Sequence, residues 1–452
     1  MSLILKSSPD FLSLPNEILA KICVYAVDRE PVTRGKDWLL AVRHTCKLLY
    51  APATRELAKR FLKSRIVMMS RYSLQELVAL CKHDLIGPYV QQVEFYPYRL
   101  NSNFFGMIQA RMDSLIIKKD YGGVPEVKRH VNWYLARVEE EMHLDRSGDA
   151  QMLLKEAFGA LRRYQKPIKL ITTTKHSCDV LFSHSGEKDS RLSIGEFLSF
   201  SSIAYTQGGD MTPVFGFFEA ALAAGNQIHD FEVRMDTGRV GSVHPTQEGV
   251  QALSQLKRLL VDIGGSDLYS ATDGTVEAIV SGAKELERVV FSSDIEYVGK
   301  PWNSTCHMSR LVKVMNSHAL RQLCLRGIAI HPKGLSLMLR RHKGTLKELT
   351  ISNVLLVGPW YKILLVARDE LRLEKLVLIN LATVNAHHFH GYFEIGDANF
   401  DLEGGIEFSG LEQVRSGVNA VFYKWDMQGT FPDYIPGWRS AKEMAHLAYP
   451  ED

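Results

Sequence analysis

The residues best suited to chemistry by type and spacing are His387, His388 and His390, with Asp397 and Asp401 downstream. Imidazoles and carboxylates are ordinary ligands of zinc, so the run invites a metal reading. Adjacent side chains of an extended chain point to opposite faces, which leaves only His388 and His390 to converge. No further His, Asp or Glu pair stands upstream at ligand spacing, so a surface loop is the better reading. His176-Ser177-Cys178-Asp179 sets an imidazole near a thiol, but Val180, Leu181 and Phe182 follow at once and favour a buried cysteine. The sequence contains no G-x-S-x-G elbow, no G-x-x-x-x-G-K-[ST] loop and no G-x-G-x-x-G. Gly264-Gly265-Ser266-Asp267 and Thr272-Asp273-Gly274-Thr275 read as turns. These residues argue for no catalytic residue, no metal and no cofactor.

Composition narrows the classes further. Across 452 residues, 46% are hydrophobic and 23% charged, ordinary for a globular chain of two or three domains or one elongated array. A net charge of +3 is small for this length and does not by itself predict nucleic-acid or membrane binding. The basic clusters Lys59-Arg60, Lys118-Lys119, Lys128-Arg129-His130, Arg162-Arg163 and Arg340-Arg341-His342-Lys343 are scattered and lack aromatic platforms, so they read as solvated helix faces. The six cysteines, Cys23, Cys46, Cys81, Cys178, Cys306 and Cys324, form no C-x-x-C pair and mostly sit in apolar runs, as in a reducing compartment. The N-terminus shows no secretory h-region, and the most apolar stretch, 214–224, is too short to span a bilayer and contains Glu219. A cytoplasmic or nuclear location is expected.

The elements begin at Phe11-Leu12-Ser13-Leu14-Pro15-Asn16-Glu17-Ile18-Leu19. Pro15 suits a first helical turn, and Glu17 complements the positive helix end. Ile18, Leu19, Ile22 and Ala26 follow as one apolar stripe. Leu39, Val42, Cys46 and Leu49 mark a second helix, and Pro52 opens a third, with Leu57 and Phe61 on one face. Three such helices are marginal alone and need the rest of the chain or a partner.

Leu14-Pro15-x-Glu17-Ile18-Leu19-x-x-Ile22, followed by Leu39-Leu40-x-Val42-Arg43 and Cys46-Lys47-x-Leu49, resembles an F-box over residues 10–62. That resemblance implies docking on the Skp-type adaptor of an SCF ubiquitin ligase, and through it on a cullin. The implied adaptor-binding residues are Leu14, Pro15, Ile18, Leu19, Ile22, Leu39, Val42 and Cys46. One departure is the polar segment Asp28 to Asp37, which reads as a connection longer than the family's.

Beyond it, 66–69, 90–95 and 167–171 read as strands, while 74–81, 132–142 and 149–164 read as helices. A hexad, apolar-x-x-apolar-x-apolar, then recurs from Ile228, Leu256, Leu286, Leu320, Leu346 and Leu373, with an earlier copy at Val90. The starts of the six lie 28, 30, 34, 26 and 27 residues apart. This pattern signals leucine-rich repeats, and two copies reach the expected asparagine, Asn353 and Asn380. Helical stretches at 276–283, 308–315 and 334–339 alternate with them. The order of F-box, helix-rich connector and degenerate repeats is similar to the fungal class of F-box proteins.

The expected architecture is therefore α/β: a three-helix F-box at 1–65, a helix-rich connector at 66–225, an irregular leucine-rich-repeat-like solenoid at 226–385, and a cap and tail at 386–452. The x positions of the hexads would face a target on the concave side. They carry seven basic residues, among them Arg258, Arg288, Arg321, Arg326, Lys347 and Lys375, against four acidic ones. Guanidinium pairs bidentately with carboxylate or phosphate, so the expected target is an acidic or phosphorylated protein segment, with no nucleic acid and no membrane as partner. The resemblance implies a non-catalytic substrate receptor. The alternatives are a repeat scaffold outside any ligase, or a metal-dependent or hydrolytic enzyme built on the C-terminal His/Gly-rich region.

Overall fold

A computed structural model describes residues 14–28, 32–45, 47–96, 124–173, 212–226, 228–235, 253–263, 275–293, 309–356, 359–389 and 392–427, with a few positions near 114 and 250. The chain is mixed α/β and divides into two compact units, the first ending at Thr172 and including Gly216–Ile228, the second holding His229–Asp452. Among the described residues no helix is long and apolar enough to cross a membrane.

The first unit opens with α1 (Asn16–Asp28), α2 (Val32–Val42) and α3 (Lys47–Phe61), which pack on one another. Pro15 precedes α1, and its carbonyl accepts from the amides of Ile18 and Leu19 at 2.9 and 3.1 Å. Cys23, Val27, Leu39, Ala53 and Leu57 form the shared core, flanked by Trp38, Leu40, Val42 and Phe61. Three expectations are corrected here. The long connection at 28–37 is absent, because α2 already begins at Val32 and its Gly35 lies against Val27 closely enough that a β-carbon would come within 2.9 Å. The second helix stops at Val42 rather than reaching Leu49, which lies in α3. Pro52 sits inside α3 instead of opening it.

From α3 the chain passes directly into β1 (Ser64–Met68), then α4 (Arg71–Lys82) and β2 (Gln92–Tyr96). Ser70 caps α4 by accepting from the Ser73 amide at 3.3 Å. After α5 (Val124–Ser147) and α6 (Asp149–Arg162), β3 (Ile168–Thr173) joins β2 in parallel, as β2 joins β1. Leu74, Leu77, Val78 and Cys81 on α4 and Leu154, Ala157, Phe158 and Leu161 on α6 are buried at helical spacing. In α7 (Thr212–Ala223), Phe217 stacks near Phe95 and Phe158, with ring centroids 4.4 and 6.3 Å away.

The second unit contains β4 (Ile228–Met235), β5 (Arg258–Ile263), β6 (Arg288–Ser293), β7 (Gln322–Arg326), β8 (Ala329–Ile330), β9 (Glu348–Leu356), β10 (Lys375–Phe389) and β11 (Tyr392–Ser409). The order β4-β5-β6-β7-β9-β10 is parallel throughout; β8 pairs beside it with β9, and β11 returns antiparallel along β10. Between strands lie α8 (Thr275–Gly282), α9 (Ser309–Val314), α10 (Pro332–Arg341) and α11 (Tyr361–Asp369), each packed on the next, and α12 (Leu411–Met427) follows.

Register explains the hexads. Phe231, Leu259, Val289, Leu323, Leu349 and Leu376 are successive partners across the strands, and Val233, Val261, Phe291, Leu325, Ile351 and Leu378 form the next row. Every apolar side chain of the hexads is 3% exposed or less, so the three apolar positions are consecutive layers of one core. Asn353 and Asn380 both adopt left-handed backbone, φ 53° and 46°, and Asn380 Nδ2 donates to Asn353 Oδ1 at 2.8 Å. Neighbouring segments are tied further by Arg341, whose Nη1 donates to the carbonyls of Met315 and Lys313 at 2.7 and 3.0 Å and so caps α9.

The pattern does not end at Ala386, as expected from the sequence. β10 crosses that boundary and pairs with β11, only two residues separating them. The missed α12 has Val414, Val418, Val421 and Phe422 buried at spacings of three and four, a helical signal hidden in a stretch that reads as Gly-rich and aromatic.

Candidate functional site

Two surfaces carry the residues that the sequence singles out. On α1 the apolar residues divide into two faces. Leu19, Cys23 and Val27 point inward, while Ile18 and Tyr25 are 39% and 60% exposed and Ile22 is half-buried between them. The single stripe of Ile18, Leu19, Ile22 and Ala26 expected from the sequence thus divides, because α2 and α3 cover the side of the helix that carries Leu19. Leu14 and Val42 are half-buried, Pro15 is exposed, and Cys46 lies outside the described residues. Leu19 and Leu39 are wholly buried within the chain and present no side chain to a partner. Leu48, at the start of α3, adds a further exposed apolar group at 45%. A contiguous exposed stripe on a short helix is the kind of face that anchors an interface.

The second surface is the face of β5–β10 opposite the buried leucines. Because side chains alternate along a strand, the third and fifth hexad positions lie there, while the second stands one residue before each of these strands. Asp230, Arg258, Arg288, Gln322, Glu348 and Lys375 form one row by register. The row before it contains Lys257, Glu287, Arg321, Lys347 and Glu374, bound into the ladder by backbone bonds such as Arg321 N to the Glu287 carbonyl at 2.8 Å. A pocket of about 980 Å³ opens over these rows. It gathers Arg258, Arg288, Arg321 and Lys347 and sets Glu287, Glu348 and Glu374 among them. Four of the six expected target-binding residues therefore converge.

The other two do not. Arg326 stands at the far end of β7, beside Ser292 and Ser352. Lys375 is held by Glu407 of β11 at 2.7 Å, and that bond raises its pKa. Sequence reasoning missed the pocket's loop residues His318, Gly344 and Thr345. Their signal is positional, since they fall one or two places before the hexads at Leu320 and Leu346. It also missed the pairing that neutralises much of the face: Arg258 with Asp230 at 3.6 Å, Lys257 with Glu287 at 3.0 Å, and Lys347 with Glu374 at 3.0 Å. The Lys257 bond holds the Glu287 carboxyl below the usual range.

Beside the pocket, α10 lies between two histidines. His331 is its N-cap, with Nδ1 accepting from the Lys333 amide at 3.2 Å, and buried His342 follows its last residue. Burial lowers the pKa of both, helped by Lys333 at His331 and by Arg341 and His318 at His342, while the Met315 and Ser317 carbonyls act in the opposite sense. Unfolding exposes imidazoles that take up a proton more readily, so this contribution is complete above the ordinary value of 6.5 and is lost as pH falls below it. Chemical denaturation between about pH 7.5 and 5.5 is expected to show falling stability, with a shallower slope in His331→Asn, whose amide caps without titrating. Equal slopes would remove His331 from the account.

His387 and His388 belong to β10 rather than a surface loop, as Asp397 and Asp401 belong to β11; His390 and the 176–179 stretch lie outside the described residues. Among the described residues no cluster of three or more His, Cys, Asp or Glu could hold a metal. Burial pushes the Cys81 thiol up to about 12 and raises Cys23 and Cys324 as well, so these sulfurs stay protonated at neutral pH. No family model matches the sequence, and no curated protein matches it.

Proposed function

We propose that this chain is the substrate-recognition subunit of an SCF-type ubiquitin ligase, an F-box protein whose N-terminal helices dock on a Skp-type adaptor and whose second unit holds a target protein. The observation that carries this reading is the three-helix module with its own small core and an outer apolar stripe, exposed Ile18 and Tyr25 with half-buried Ile22 between them, which begins within the Leu14-Pro15-x-Glu17-Ile18-Leu19 motif. The second unit is read as leucine-rich-repeat-like. In support, hexads 26 to 34 residues apart align layer by layer on parallel strands, and the bonded pair Asn353–Asn380 stands at the matching position of two copies. A receptor of this kind contributes positioning rather than bond chemistry.

Co-expression with a Skp-type adaptor tests the reading by size exclusion. Wild type is expected to form a one-to-one complex that recruits a cullin. Ile18→Asp/Tyr25→Asp is expected to weaken it at least about 100-fold, as for paired hot-spot losses. Thermal unfolding of the variant should stay close to wild type, because both side chains are exposed. A soluble wild-type chain that ignores the adaptor overturns the proposal; adaptor without cullin would make it a scaffold.

A further inference from the structure

Some charges of the second-unit pocket are already paired and others are open. Arg258 pairs with Asp230 of β4, while Glu287 and Lys257, and Lys347 and Glu374, pair across the segments that lead into adjacent strands. Among the described residues Arg288, Arg321 and Glu348 have no ion-pair partner, although Arg321 adds a favourable field at Glu287, and Glu348 one at Lys375. The two arginines stand side by side, Arg288 opening β6 and Arg321 just before β7. Glu348 opens β9, the next strand after β7, with Glu374 beyond it. The pocket is therefore dipolar, cationic over β6–β7 and anionic over β9–β10.

Its four cations face three carboxylates, so there is little excess charge to attract a polyanion. Strands lie about 4.8 Å apart, which puts the two poles roughly 7–10 Å from each other. An extended peptide advances about 3.3 Å per residue, so the poles match side chains two to three residues apart. We propose that this pocket binds a short extended segment of a partner protein carrying one anionic group, carboxylate or phosphate, and a lysine or arginine two to three residues along. Arg288 and Arg321 take the anion through guanidinium forks, and Glu348 takes the cation. The inference rests on the target-holding role proposed above and adds the chemistry of the segment held.

Fluorescence anisotropy with the purified full chain tests it, using labelled nine-residue peptides in a neutral background. One set carries aspartate or phosphoserine with arginine two or three residues away, in both orders; others carry the acidic group alone, two acidic groups, or no charge. Dipolar peptides are expected to bind about tenfold more tightly than singly charged ones, and aspartate against phosphoserine reports which anion is preferred. Arg288→Glu should remove that gain, while Glu348→Lys should transfer it to the doubly acidic peptides. Both positions are exposed or half-buried on a strand face, so neither change is expected to alter folding. Tightest binding by doubly acidic peptides in wild type, a preference indifferent to Glu348→Lys, or no binding up to about 1 mM would each overturn the proposal. The same variants run with the adaptor separate the two readings: peptide failure with an intact adaptor complex removes only the dipolar pocket, and adaptor failure with selective peptides removes only the ligase role.

Discussion

Leu349→Ala is expected to lower the unfolding free energy by about 3–5 kcal/mol, the upper part of the range for truncating a fully buried leucine. Leu349 is 0% exposed and sits in the middle strand of a layer, with Leu323 on β7 and Leu376 on β10 as its register partners. Its neighbours belong to extended parallel strands on both sides, so the cavity has little room to collapse. The adjacent residue provides the control. Thr350 faces the other side of the same strand and is half-buried, so Thr350→Ala should change stability by no more than about 0.5 kcal/mol. Urea unfolding of the full chain reads both. Equal small effects would mean that β9 is not seated in the core as described, because alternation along a strand requires the two positions to differ.

Gly327→Ala is expected to cost about 3 kcal/mol or more, from two separable causes. Gly327 follows β7 with φ 63°, a left-handed conformation that costs an L-residue about 1–2 kcal/mol. A β-carbon there would also overlap the carbonyl oxygen of Ser293 at the end of β6. That obstacle is backbone within a paired strand, not the tip of a flexible side chain, so relief requires moving the strand. Gly327 also donates its amide to the Ser352 carbonyl at 3.0 Å, which fixes it between β6 and β9. Asparagine tolerates left-handed backbone but has the same β-carbon. Gly327→Asn should therefore be nearly as damaging as Gly327→Ala if the close approach dominates, and milder by about 1 kcal/mol if conformation does. Thermal unfolding of both variants separates the causes.

Much of this architecture is legible along the chain. A hexad that repeats its apolar positions every 26 to 34 residues can place its leucines in register layers only if the strands lie side by side, and the register of β4 to β10 follows that pattern residue for residue. Local spacing also located α4, α6 and α8 to α10 to within a few residues, because the buried face of each is written in neighbours three and four apart. Four of six expected basic residues meet at one pocket because Arg258 and Arg288 open the adjacent strands β5 and β6, and Arg321 and Lys347 stand just before β7 and β9.

What spacing could not decide is which groups meet across the chain. On α1 two apolar stripes compete, Ile18/Ile22 and Leu19/Cys23/Val27, and only the packing of α2 and α3 chooses the second as interior. The polar residues 32–37 resemble a linker until Gly35 is seen lying against Val27, where a glycine permits the close helix approach. Lys375 reads as a free cation on a strand face, yet β11 returns antiparallel and brings Glu407 to it. Periodicity is a property of neighbours in sequence, so it marked the strands of the hexads and most of the helices, but not β8, β11 or the far end of β10. Ion pairing and helix choice depend on groups tens of residues apart, so which charges of the pocket stay open, and which stripe of the first helix stays exposed, was decided only by the tertiary structure.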